Sequence, residues 1–438
     1  MSGTTTATPE VVIRGGTVVD RTGERRGDVR VVDGWVVEVA EDLAVPAGAT
    51  VLDAGGCLVA PGLVDLHTHL REPGREEAET VDSGTRAAAL GGYTAVVAMP
   101  NTDPPLDSAE SVRNVFALAE GAMAEVAVAG AITVGRSGER LAPMAELAAL
   151  GVRLFTDDGD GVQSAGLMRR ALQYATGLGV ILGQHCEDRS LAAGGTMHEG
   201  AWSSRLGLPG MPSEAEEVMV ARDIALSRAT GGRVHFLHLS TAGSIDLVRR
   251  ARADGVPVTA EVAPHHFTLT DGCTKGYDPV FKVNPPLRPQ TDVDAVKAAL
   301  ADGTADAIAT DHAPHAPELK DLPFDQAPPG MLGLQTAFAL AVTELDLPLA
   351  RLLALLSWQP AVIAGLDPDH GGAHGGPVAP GAAANLCVVD PAATWTVDPT
   401  ALASRSRNTP YAGRTLTGRV RHTVLAGEPV VIDAEAQR

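Results

Sequence analysis

From residue 62 to residue 310 the chain alternates short apolar, β-branched runs with helical stretches. Eight runs read as strands: Gly62–Leu70, Tyr93–Met99, Val126–Val134, Val152–Thr156, Val180–His185, Arg233–Leu239, Pro257–Ala263 and Ala305–Thr310. Helical patterns such as Ser83–Leu90 and Gly166–Leu178 fall between most of them. Parallel neighbours need a crossover, so strand and helix in repetition predict a parallel sheet. Eight such units predict an α/β fold closed as a (β/α)8 barrel of TIM type. A doubly wound open sheet is the alternative. No GxGxxG or GxxxxGK(S/T) loop follows a strand, so nucleotide binding is not indicated.

The two ends of the chain read differently. Val11-Val12-Ile13, Thr17-Val18-Val19, Val29–Val32 and Val36–Val39 are short β-like runs, with turns at Gly15-Gly16 and Asp33-Gly34. Similar runs close the chain at Asn385–Val389, Gly418–Val420 and Pro429–Ile432. This predicts a small β-sandwich domain assembled from both termini. A glycine-rich link at Gly371–Pro377 marks a boundary. The expected organisation is 1–60 in the β domain, 61–370 in the barrel and 371–438 again in the β domain.

A barrel builds its active site at the C-terminal ends of its strands. There the first candidate carries His67, His69 and Arg71, the second Asn101 and the fourth Asp157-Asp158. The fifth ends in His185, the sixth in His238, and the eighth in Asp311, followed by His312 and His315. A lone histidine at a strand end is more often a hydrogen-bonded structural residue than a ligand. Ligand-type residues at the same end of successive strands resist that explanation. His67 and His69 are two apart on an extended chain, so they project to the same side and can grip one cation. Imidazole and carboxylate donors without thiolates suit zinc, with manganese or cobalt as substitutes. Such an ion lowers the pKa of bound water toward ~7, and two ions ~3.5–4 Å apart can share a hydroxide. Asp311 is the natural proton carrier beside it.

Composition narrows the partners. The net charge is −20, which favours solubility and disfavours a phosphate backbone. An anionic substrate would therefore need local positive charge. Aromatic residues are 3% of the chain, too few for a base-stacking surface. Cys57, Cys186, Cys273 and Cys387 form no CxxC pair, so buried thiols are expected rather than disulfides. No run approaches ~20 unbroken apolar residues, so no membrane span is expected. Met1–Pro9 lacks the pattern of a secretory leader, and a cytoplasmic location is expected.

The ordered motifs identify a resemblance. They are His67-Thr68-His69-Leu70-Arg71-Glu72-Pro73-Gly74, Ala98–Thr102, Phe155–Gly159, His185–Asp188, His238–Thr241, Lys282–Arg288 and Thr310–His315, with Asn408-Thr409-Pro410-Tyr411 in the tail. From about Val11 to Val431 the chain resembles the long bacterial dihydroorotases of the amidohydrolase superfamily. The resemblance implies reversible hydrolysis and cyclisation between (S)-dihydroorotate and N-carbamoyl-L-aspartate in pyrimidine synthesis. It implies metal ligands at His67, His69, Asp158, His185, His238 and Asp311, with one or two zinc ions per subunit, two favoured. It implies substrate contacts from His69, Arg71, Asn101, Asn284, His315 and the backbone at Pro329-Gly330. Arg71 suits a forked pair with a substrate carboxylate, although an ion pair with Glu72 or another acid is the plainer use of such an arginine. Asn101 and Asn284 can serve carboxylate and ring amide.

Many relatives bridge two metals with a carboxylated lysine near the end of the fourth strand. The only lysines here are Lys275, Lys282, Lys297 and Lys320, so the oxygen ligand must be an aspartate, as in a known branch of the family. Family spacing to His185 selects Asp158; strand periodicity alone leaves Asp157 equally open. An aspartate is shorter than a carboxylated lysine, so the second metal can be held differently. A homo-oligomer is expected, and the aspartate branch also implies association with aspartate transcarbamoylase. His265-His266 lies near the seventh strand end and reads as structural, while His198, His235, His370, His374 and His422 lack motif support. Cys186 has no visible activating partner and reads as structural. The proline-rich segment Ala316–Gly333 reads as a loop over the barrel mouth. Two competing functions remain: a cyclic amidase acting on hydantoins, dihydropyrimidines or allantoin, and an inactive scaffold for aspartate transcarbamoylase.

Overall fold

All eight strand candidates are strands in the computed structural model, which describes residues 10–438. Met1–Pro9 and the leader reading lie outside the described residues. The barrel strands are β1 (Leu63–Thr68), β2 (Tyr93–Ala98), β3 (Glu125–Gly130), β4 (Leu154–Thr156), β5 (Ile181–Gln184), β6 (Val234–Phe236), β7 (Val258–Val262) and β8 (Ala307–Ile308). They pair in parallel and in chain order. That order excludes the doubly wound sheet, whose strands reverse direction of progress partway. The sheet also closes. Thr68 bridges His312 in parallel register, and the His69 N–H donates to the His312 carbonyl at 2.9 Å. Beneath them the buried Asp65 carboxylate accepts from the Thr310 N–H at 2.7 Å and its hydroxyl at 2.6 Å. Burial raises the Asp65 pKa to about 6, against the lowering effect of bonds from Thr310 and Thr68.

The third candidate overran its strand. β3 stops at Gly130 because the Ile132 and Thr133 N–H groups donate to the Asp157 carboxylate, both at 2.9 Å, instead of to a neighbouring strand. The helices behind the barrel begin where the sequence supplies caps. Thr80 and Ser83 form a capping box before Val81–Leu90, and Ser108 and Ser111 do the same before Ala109–Leu118. Ser164 caps Ala165–Leu178.

The termini form two sheets that pack face to face. One has four strands, in the order Trp35–Ala40, Asp28–Val32, Glu10–Arg14 and Thr50–Asp53, all N-terminal. The other interleaves Thr17–Asp20, Gly23–Arg26 and Leu58–Pro61 with Leu386–Thr396, Thr415–Leu425, Glu428–Ile432 and Glu435–Ala436. Only the second sheet draws on both ends of the chain. Between them lies a core of Val11, Ile13, Val18, Val31, Leu52, Val59, Leu386, Val388 and Val424. Leu58–Pro61 pairs antiparallel with Leu386–Val389 and runs directly into β1, so the sandwich anchors the N-terminal end of the first barrel strand.

One stretch, Leu349–His370, has the mean hydropathy of a membrane span, 1.5. It is broken at Ser357 (φ −126°, ψ −84°) into the helices Leu349–Leu356 and Trp358–Ala364, and more than half of it is buried. The Ser357 hydroxyl binds the Pro61 and Gly62 carbonyls at 3.1 and 2.9 Å, which ties this apolar pair to the base of β1.

Candidate metal centre

Alternation along β1 puts Asp65 and His67 on one side of the strand, and His69 follows on the same side just beyond it. Strand ends from across the barrel bring Asp158, His185, His238 and Asp311 to meet them. Each oxygen of Asp158 faces a different pair of imidazoles. Oδ2 lies 3.4 Å from His67 Nε2 and 3.6 Å from His69 Nε2. Oδ1 lies 3.5 Å from His185 Nδ1 and 3.6 Å from His238 Nε2. Asp311 Oδ1 completes the first group, 3.2 Å from His69 Nε2 and 3.6 Å from His67 Nε2. Two donors each ~2.1 Å from a tetrahedral ion sit ~3.4 Å apart, so these separations match the edges of a coordination shell. Two overlapping sets of donors converge, His67–His69–Asp311 and His67–Asp158–His238. His67 Nε2 is buried without a hydrogen-bond partner, as an atom reserved for a cation would be.

The electrostatics fit the same use. Burial disfavours charge on every one of these groups. For His67 the carboxylates of Asp158, Glu261 and Asp311 overcome burial and hold its pKa well above the ordinary value. His185 is likewise lifted to about 10 by Asp158 and Glu187 against burial. Burial also works against the Asp158 carboxylate, but His67, His185 and His238 hold its pKa well below the usual range; His69 and His67 do the same for Asp311. His69 moves the other way, through burial and the nearby Arg71. A cluster that keeps its carboxylates charged and attracts protons to His67 and His185 is one where a divalent cation can replace those protons.

A second layer, not read from the sequence, stands behind His67. The fully buried Glu261 on β7 accepts from His67 Nδ1 at 2.9 Å and from His235 Nε2 at 3.0 Å. His235 Nδ1 in turn meets the Thr259 hydroxyl at 2.8 Å. This fixes which His67 nitrogen is left for a metal. The available signal was a carboxylate inside the apolar run Val258–Val262. Asp157 is occupied elsewhere, by the Ile132 and Thr133 N–H groups and the Thr133 hydroxyl, and the Arg136 guanidinium binds the Asp158 carbonyl at 2.6 Å. Of the two adjacent aspartates, Asp158 is the one facing the imidazoles.

These residues open onto a cavity of about 220 Å³ lined by His69, Arg71, Asn101, Asn284, His315 and Gly330, among others. Arg71 is buried, and among the described residues no carboxylate lies within ion-pair distance of it. Its Nε donates to the Pro314 carbonyl at 3.1 Å, while Glu72 caps the Val81 N–H at 2.7 Å rather than pairing with it. Burial and the neighbouring Arg75 lower its pKa to about 10, so it stays charged at neutral pH. Asn101 Oδ1 accepts from His69 Nδ1 at 2.9 Å, which leaves its N–H groups for a ligand and engages both His69 nitrogens. Asn284 Oδ1 is buried without a partner. The backbone at Pro329-Gly330 is held in place by the protein's own hydrogen bonds. His315 Nε2 donates to the Pro329 carbonyl at 2.8 Å, and the Gly330 N–H donates to the Lys282 carbonyl at 2.9 Å. Pro328 and Pro329, from the proline-rich segment, sit at the mouth. A larger cavity of about 280 Å³ lies between barrel and C-terminal sheet, but its walls, including Leu90, Phe338 and Trp395, bring no ligating cluster.

Most of the remaining histidines are held by hydrogen bonds within the protein. His198 accepts from Arg288, His370 meets Asp367, His374 bridges Thr94 and Glu125, and His422 binds backbone at Asp53 and Asp433. His312 turns away to Glu79. His266 binds the Pro285 carbonyl, whereas His265 Nε2 has no partner and stands 3.9 Å from Asp311 Oδ2. Cys186 is buried, and burial pushes its thiol well above the ordinary value, which disables it as a nucleophile.

A family model described as dihydro-orotase-like matches residues 56–244. A dihydroorotase of Pelotomaculum thermopropionicum is 50% identical over 430 residues, covering 97% of this chain and 99% of the relative. A dihydroorotase of Anaeromyxobacter dehalogenans is 50% identical over 434 residues with the same coverage. Among solved structures, the L-hydantoinase (dihydropyrimidinase) of Arthrobacter aurescens superposes with a TM-score of 0.87 over 98% of both chains, at 24% identity.

Proposed function

This chain belongs to the dihydroorotase family and is a cyclic amide hydrolase; from that premise we propose that it interconverts (S)-dihydroorotate and N-carbamoyl-L-aspartate in pyrimidine synthesis, at a zinc centre of two ions. The observation that carries the substrate assignment is Arg71, a buried guanidinium with no acidic partner among the described residues, beside four converging imidazoles. A charge left unpaired in the interior is costly unless a ligand completes it, and a ring carboxylate does so.

His67, His69, Asp158, His185, His238 and Asp311 are the residues that would hold the metal, with Asp158 offering one oxygen to each side. Bound there, zinc supplies Lewis acidity toward the scissile carbonyl and makes water a better nucleophile. Arg71 and the Asn101 amide bind the substrate carboxylate and fix the ring's orientation. Asn284 Oδ1 accepts a ring N–H, which satisfies its unpartnered oxygen. Asp311 takes a proton from the attacking water and delivers it to the amide nitrogen as the C–N bond breaks; in cyclisation it runs the transfer backwards. The buried His69 and His67 beside it keep Asp311 ionised and able to accept that proton. His315, its pKa lowered by burial and Arg71, stays neutral and lines the ring's other side.

The wider reading places the catalytic unit at 61–370, in a cytoplasmic homo-oligomer able to associate with aspartate transcarbamoylase, as in the aspartate-bridged branch. The deciding experiment is a substrate panel on metal-analysed protein. We expect turnover of dihydroorotate and carbamoyl-aspartate in both directions, little turnover of the uncharged dihydrouracil, and about two zinc ions per chain. Preference for dihydrouracil or a hydantoin would make the chain a different cyclic amidase. Folded protein with neither metal nor turnover would make it a scaffold.

A further inference from the structure

The tail motif at Asn408 lies 93 residues from His315 and is no part of the metal cluster, yet its side chain is buried, 5% exposed, beside the cavity. Its carboxamide makes three hydrogen bonds, using both N–H donors. Oδ1 accepts the His315 N–H at 3.2 Å, while Nδ2 donates to the Ala313 carbonyl at 2.9 Å and the Gly330 carbonyl at 3.1 Å. Its own carbonyl accepts the Leu332 N–H at 3.1 Å. One side chain thus ties the loop after β8, which carries His315, to the turn carrying Pro329 and Gly330. The turn is close-packed: Gly330 has φ +144°, and a Cβ there would meet Ala313 Cβ and His315 Nε2 at 2.8 Å. On its far side Lys320 Nζ holds the Pro328 and Pro279 carbonyls at 2.8 and 2.9 Å.

We propose that Asn408 is a positioning residue through which the C-terminal segment completes the substrate cavity: it locks the 328–332 turn against the His315 loop so that His315, Pro329 and Gly330 face the ring in fixed geometry. The chemistry requires an amide. It must donate twice to carbonyls and accept once from an N–H; aspartate has no proton to donate and would set a negative charge against two carbonyl oxygens. The effect falls on substrate binding, because Asn408 touches no group of the metal cluster.

This inference rests on the dihydroorotase reading of the cavity, and the test separates the two. Asn408→Ser and Asn408→Asp would be purified with metal restored. KM and kcat for dihydroorotate, metal per chain, and native-state cleavage after Lys320 by a lysine-specific protease would be measured. With only four lysines in the chain, that cleavage gives a simple fragment pattern. We expect KM to rise about tenfold while kcat falls less than about threefold, as loss of one or two buried hydrogen bonds loosens the turn. Metal per chain should not change, and cleavage at Lys320 should become several-fold faster. Unchanged KM and cleavage in a folded variant would overturn the proposal, as would parallel loss of kcat and metal. If aspartate prevents folding, the serine variant decides. If wild type does not turn over dihydroorotate, the functional reading fails, while the cleavage rates still judge Asn408.

Discussion

The rim of the barrel and the terminal sandwich handle buried polarity in opposite ways. In the sandwich, buried carboxylates are saturated by the protein itself. Asp20 accepts from the Thr22 and Val378 N–H groups and from Arg25, and Asp28 from the Gly15 and Leu43 N–H groups. At the rim, His67 Nε2, His238 Nδ1, His265 Nε2 and Asn284 Oδ1 are buried with no partner. Among the described residues, no buried side-chain atom of the two sheets is left this way. Backbone strain divides similarly. Asp33, Ala426 and Asp433 have positive φ in turns of the sandwich, whereas Arg71, His238 and Asp311 have it (62°, 31° and 47°) where three strands end at the cavity. In the sheets the rare conformation reverses the chain; at the rim it aims side chains. The sandwich is thus built for stability and the rim for binding, and substitutions in the two should fail differently.

The sharpest contrast is Asp311→Ala. Turnover should fall by about 10³–10⁴-fold or more, while the thermal transition of the metal-free protein moves little, because the change removes a proton carrier and not packing. Activity within tenfold of wild type would remove Asp311 from the mechanism. The converse is Ile13→Ala in the sandwich core, where Ile13 is fully buried. Stability should drop by about 2–5 kcal/mol in denaturant titration, with kcat/KM near wild type at temperatures where the protein stays folded. Loss of metal affinity there would show that the two regions are coupled.

Glu261→Gln probes the layer behind His67. It keeps the shape but weakens the hold on His67 Nδ1, so zinc affinity by competitive chelation should fall about 10–100-fold with the fold intact. The smallest effect concerns pH. Burial and Arg288 lower the His198 pKa to about 4, below the ~6.5 of an unfolded histidine. The folded state therefore binds this proton less well, so its stabilising share is present above pH ~6.5 and is lost as pH falls toward 4. Between pH 7.5 and 5 the transition temperature should lose about 1–3 °C more in wild type than in His198→Asn. Equal losses would remove His198 from the acid response.

Much of this was legible before any coordinates. Eight strand patterns, with ligand-type residues at the same end of most, pointed to a barrel and placed His67, His69, His185, His238 and Asp311 at its rim. The sequence extends the third strand past its end because Ile132 and Thr133 look like strand residues, and nothing local reveals that Asp157 takes their N–H groups. Glu261 is not marked by the sequence because a carboxylate in a strand carries no label for what it faces. Asn408 stands in a sequence motif, but its contacts exist only where the loops it joins are adjacent.

The chain alone determined which chemistry is possible: the donor types, their placement after successive strands, and the absence of any lysine before Lys275 to serve as a bridge. Periodicity is local, so it reports which side of a strand a residue occupies. Only the tertiary structure turned Asp157 to the Ile132 and Thr133 N–H groups and Asp158 to the imidazoles, set Glu261 behind His67 across 194 residues, and brought His69 to Asp311 across 242. Those contacts depend on barrel closure, which fixes distances between strands that no spacing along the sequence encodes.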